Sequence, residues 1–109
     1  MSKFDDFTKI VLNGVKGLAT GSLKDFLAAA KDDAKAFLQQ SEDDFRRWTK
    51  ELAANKLSKD EFEDLVRGEA DVAKMAALTQ AGITAARIQR FRNALINLVI
   101  DAAFKTFIP

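Results

Sequence analysis

The sequence predicts an all-α domain, and three observations predict it. Apolar residues recur at spacings of three and four along most of the chain, the period of an amphipathic helix. The one proline is the last of the 109 residues, so no predicted helix is broken by one. Ser58 followed by Glu61 reads as a capping box, a helix start that does not depend on the apolar pattern. This length fits one domain, here an elongated bundle of three to four amphipathic helices. Such a chain can bury a core without disulfides or a structural metal.

The first predicted helix covers about 3–20. Phe4, Phe7, Val11, Val15 and Leu18 form its stripe, and Ile10, Gly14, Gly17 and Gly21 lie beside it. A glycine inside a helix costs about 1 kcal/mol against alanine, so a close-approaching backbone is expected at this line. Gly21 reads as the stop and Ser22 as the next N-cap.

The second predicted helix covers about 23–54. Leu23, Phe26, Leu27, Ala30, Ala34, Phe37, Leu38, Ser41, Phe45, Trp48 and Leu52 fall on one face. One uninterrupted helix of that length is roughly 48 Å long at the α-helical rise, which is the reason for expecting an elongated molecule. On the outer face Glu42 and Arg46, and Asp43 and Arg47, have i,i+4 spacing. The third predicted helix, about 59–81, begins at the Ser58–Glu61 box, with Leu57 and Phe62 placed as a hydrophobic staple. It continues on Leu65, Val66, Val72, Ala73 and Ala76.

Gly82 reads as a C-terminal stop and Thr84 as the cap of a fourth helix, about 84–107. The alternative is one continuous helix, because the apolar phase runs straight through Gly82. The fourth helix has an apolar arc wider than half its circumference. Ile88, Phe91, Leu95, Leu98, Val99 and Ala102 make one side, and Ile96, Ile100, Ala103 and Phe107 widen it. A helix so apolar is either central or meets a second surface.

Several chemistries lack their residues. There is no histidine and no cysteine, which removes the usual general base, thiolate chemistry and the His-containing zinc and di-iron sets. The glycines follow no strand and precede no Gly-Lys-Ser/Thr, so they form no phosphate loop. The acidic pairs and runs at 32–33, 42–44 and 61–64 read as solvated helix faces. No residue is therefore assigned to catalysis, a cofactor or a metal. Glu69 is the one acid on an apolar stripe. Either it leans out at the edge of that stripe or it is, with Asn97, a candidate buried polar group, reachable by Asn93, Asn97 or an arginine of the fourth helix. Arg87, Arg90 and Arg92 surround Phe91, but a net charge of +1 is too small for a nucleic-acid module. Residues 58–83 are net acidic and 84–109 net basic, so the two segments are expected to meet.

No apolar run approaches the roughly 20 residues of a membrane span, and a cytoplasmic location is the default. The expected function is a non-enzymatic helical interaction or self-assembly module. It would act as a homo-oligomer, most simply a dimer, or on a protein partner, through Ile96, Ile100, Ala103 and Phe107. Binding of an amphipathic helix to a lipid surface is the alternative.

Overall fold

The computed structural model describes residues 3–18 and 25–108. These contain six helical segments and no strand: α1 (Lys3–Leu18), α2 (Leu27–Gln40), α3 (Glu42–Ala53), α4 (Lys59–Asp71), α5 (Ala76–Gln80) and α6 (Ala85–Phe107). The all-α class is as predicted, with more and shorter helices. The radius of gyration is 13.6 Å, close to the roughly 13 Å of a compact chain of this length. The molecule measures 42 × 26 × 20 Å, longer along one axis but short of the roughly 48 Å of one uninterrupted 23–54 helix, because neither long helix survives intact. The readings of Gly21 as a stop and Ser22 as a cap fall outside the described residues.

The predicted 23–54 helix divides at Ser41, whose backbone (φ −99°, ψ 6°) leaves the helical basin. The break is a kink rather than a loop. Ser41 N–H still donates to Phe37 O at 3.0 Å, and Phe45 N–H to Ser41 O at 2.8 Å. Glu42, Asp43 and Asp44 then occupy the first turn of α3, where the helix dipole favours anions. Phe37, Phe45, Trp48 and Leu52 are buried as expected, while Phe26 is half-buried.

The chain leaves α3 through Asn55, at φ 59°. Lys56 N–H bonds to Glu51 O and Asn55 N–H to Leu52 O, the two bonds of a Schellman end. Ser58 then caps α4 as predicted. Its hydroxyl accepts from Glu61 N–H at 3.1 Å, and Glu61 Oε1 accepts from Ser58 N–H at 3.0 Å. These two bonds hold the Glu61 carboxyl below its ordinary range, the backbone bond contributing most.

Gly82 is a genuine break, with φ 87°, so the continuous-helix alternative is wrong. Ile83 N–H reaches Leu78 O and Gly82 N–H reaches Thr79 O, a second Schellman end. Thr84 caps α6 by accepting from Arg87 N–H at 3.3 Å. The predicted 59–81 helix, by contrast, is not continuous. It ends at Asp71 and resumes as α5 at Ala76.

The core is a phenylalanine network gathered around α6. Phe7 lies 6.2 Å from Phe45 and 6.0 Å from Phe107, and Phe45 lies 5.5 Å from Phe37 and 5.8 Å from Trp48. Tilted and edge-on aromatic pairs of this kind contribute about 0.5–1.5 kcal/mol each beyond their burial. Rings of α1, α2, α3 and α6 are thereby joined in one cluster. Helix α1 lies against α6 through Gly14, where an added Cβ would sit 2.5 Å from Leu98 Cδ2. Gly17 has open space at that position, and what approaches Gly14 is the Leu98 side chain rather than the expected backbone.

Candidate functional site: the connector between α4 and α5

Residues 72–75 join α4 to α5, and a charged side chain holds each end of them. Arg92 of α6 donates from Nη1 to the carbonyl oxygens of Ala70 and Ala73, the latter at 2.7 Å. These carbonyls close the C-terminal end of α4, where a cation is favoured by the helix dipole. Asp33 of α2 acts at the other end. Its two carboxylate oxygens accept from Ala77 N–H and Leu78 N–H, each at 2.9 Å. They satisfy the free amides of the first turn of α5, an N-cap delivered from 44 and 45 residues away.

Asp33 is 3% exposed, so reading the pair at 32–33 as solvated fails for this residue. It holds for Asp32, which is exposed. The two clamps also explain why helix 59–81 breaks. An uninterrupted helix would pair the Ala70 and Ala73 carbonyls and the Ala77 and Leu78 amides internally. Arg92 and Asp33 offer these groups charged partners instead, and such bonds are roughly twice as strong as neutral ones.

One consequence is the exposure of Val72. It was expected on the buried stripe, yet it is 80% exposed. Among the described residues it is the one large hydrophobic side chain left in solvent. Beside the connector runs an open groove of about 540 Å³. Met75 and Ile88 contribute its apolar lining and Lys74, Gln89 and Arg92 its polar lining.

A second polar cluster lies where α4 meets the kink. Ser41, 3% exposed, donates its hydroxyl to Glu69 Oε2 at 2.9 Å. Asp44 and Arg47 of α3 complete the group, and Arg47 is 3.1 Å from Asp44. Burial raises the Glu69 carboxyl above its ordinary range. The neighbouring Asp44 carboxyl adds to that rise, and the Ser41 hydroxyl and the Arg47 charge oppose it. Glu69 is thus a half-buried, hydrogen-bonded group, but its partner is Ser41 and not α6. Asn97 is exposed and is not a buried polar group.

The expected interface on the last helix is corrected as well. Ile96 is 1%, Ile100 5% and Ala103 0% exposed, and Phe107 is half-buried against Phe7. The chain covers this flank itself, largely with α1. The acidic α4 and basic α6 do pack together, as their charges suggested, but Arg92 bonds to carbonyl oxygens rather than to a carboxylate.

Among the described residues, no group of three or more acids could hold a metal ion, and no helix is long and apolar enough to cross a membrane. No known protein family matches the chain, and neither curated proteins nor solved structures give a match.

Proposed function

We propose that the protein is a helical self-assembly module that pairs through the α4–α5 connector. The observation that carries this reading is Val72, a large apolar side chain at 80% exposure on a segment pinned at both ends. A pinned segment loses little conformational entropy on docking, so its contact area converts more fully to affinity. The adjoining groove offers Ala73, Ala76 and Ala85 as accessible apolar contacts, while Met75 and Ile88 of its lining are buried in the core.

Charge favours a second copy as the occupant. Helix α4 carries six acids and two bases, and α6 carries four bases and one acid. Arg87 and Arg90 lie in the α6 half nearest the groove. A two-fold pairing would set the acidic α4 edge of one copy against the basic α6 edge of the other, and complementary potentials favour that encounter.

Light scattering over a dilution series tests the proposal. The wild type is expected to rise above the 12.1 kDa of one chain as concentration increases. Val72→Asp is expected to stay at that mass with an unchanged far-UV spectrum, because the side chain it replaces is already in solvent. A wild type that remains at one-chain mass at every concentration overturns the reading.

A further inference from the structure

Two shallow grooves run along the outside of α1 and share Asn13. The first, about 420 Å³, lies between α1 and α2 and is lined by Lys16, Lys31 and Lys35, with Asp32 as its one acid. The second, about 500 Å³, lies between α1 and the end of α6 and is lined by Lys3, Lys9 and Lys105, with Asp6 as its one acid. Together they hold six lysines and two acids. The residues lining the two grooves are net +4 on a chain that is net +1. With Asp5, exposed on the same helix four residues from Lys9, the face is net +3 and the remainder of the molecule net −2.

The fold creates this asymmetry. Helix α2 has equal numbers of acids and bases in sequence. Asp33, however, is turned inward onto the amides of α5. Its charge is removed from the surface, and Lys31 and Lys35 are left facing Asp32 alone in that groove.

We propose that this lysine face docks on the surface of an anionic lipid bilayer. The proposal goes beyond self-assembly through the connector and rests on a different face. Three features select a bilayer. The charge is spread along α1, a helix of 16 residues and so roughly 24 Å long, more than a small soluble anion spans. Neither groove is lined by an arginine or an aromatic residue, the side chains that read and stack nucleic-acid bases. Lysines on flexible stems over an aliphatic floor, here Ile10, Leu12 and Ala28, suit a fluid array of headgroups.

Vesicle flotation with the full chain tests it. The wild type is expected to float with phosphatidylcholine vesicles containing phosphatidylserine and not with phosphatidylcholine alone. Binding is expected to be lost at about 1 M salt, where screening acts within roughly 3 Å. The triple variant Lys16→Gln, Lys31→Gln, Lys35→Gln is expected to bind on the order of a hundredfold more weakly, about fivefold per lysine. Lys50→Gln, Lys56→Gln, Lys59→Gln removes the same charge outside both lysine grooves and away from the connector, and is expected to bind like the wild type. Melting curves establish that both variants are folded. Equal flotation with the two vesicle types, equal loss in the two triple variants, or release of the vesicles by a short nucleic-acid duplex at equal phosphate concentration would each overturn the proposal.

Discussion

Replacing Asp33 by alanine removes both acceptors from the first turn of α5. Leu78 N–H is then buried without a partner, and Ala77 N–H is left half-buried. A hydrogen bond to a charged group contributes about 1.5–3 kcal/mol, and an unsatisfied buried donor costs a comparable amount. Water can reach the Ala77 amide, so the sum falls below the two-bond maximum, at about 3–5 kcal/mol. A domain of this size has about 5–15 kcal/mol in total. Asp33→Ala should therefore lose a large fraction of it and melt on the order of 10–20 °C lower. Asp33→Asn keeps one acceptor but loses the charge at the helix start, and should cost about 1–3 kcal/mol. Asp32→Ala, one residue away and exposed, should change stability by less than about 0.5 kcal/mol. Urea denaturation followed by circular dichroism gives all three values. Amide exchange at Ala77 and Leu78 shows whether α5 opens before the rest. Similar small effects for Asp33→Ala and Asp32→Ala would refute the long-range cap.

Three further substitutions probe the remaining devices. Ser58→Ala should cost about 1 kcal/mol by removing the α4 cap, read as a lower denaturation midpoint. Gly68→Ala, within α4 with open space at its Cβ position, should stabilise by about 0.5–1 kcal/mol in the same assay. Glu69 has a raised carboxyl, so the folded state holds its proton after the unfolded state has released it. Stability from this group is present at acid pH and is lost as pH rises through the folded value. Glu69→Gln should therefore gain on the wild type between pH 4 and pH 7. Glu61 has a lowered carboxyl, so its contribution is full above the unfolded value and lost as pH falls through the folded one. Glu61→Gln should therefore lose on the wild type as pH rises from about 2 to about 5. A difference that does not vary with pH would contradict either assignment.

The local signals in the sequence translate directly into structure. Ser58, Glu61, Gly82 and Thr84 act within three or four residues of themselves, and each does what its position implies. The kink at Ser41 also had a local signal, a serine followed by three acids. Apolar periodicity masks that signal, because it continues across the kink, where the backbone bonds on both sides persist. The α4–α5 break had no comparable mark. It depends on Asp33 and Arg92, whose partners lie 19 to 45 residues away, and both look like ordinary surface charges in a linear reading. The same long-range effects hid the candidate site. Val72 fits the apolar phase and leaves the core because the connector is pulled out of helical register. The flank of α6 seemed unpartnered because sequence periodicity does not say that α1, admitted by Gly14, lies across it.

Hydrogen exchange at low and high protein concentration tests the central claim, that any self-assembly uses the connector and not the flank of α6 that carries Ile96, Ile100 and Ala103. Ile96, Ile100 and Ala103 are already buried within one chain, so their amides should exchange at the same slow rate at both concentrations. Protection at residues 72–76 should increase with concentration. Protection that grows along α6 while residues 72–76 stay unchanged would contradict the account.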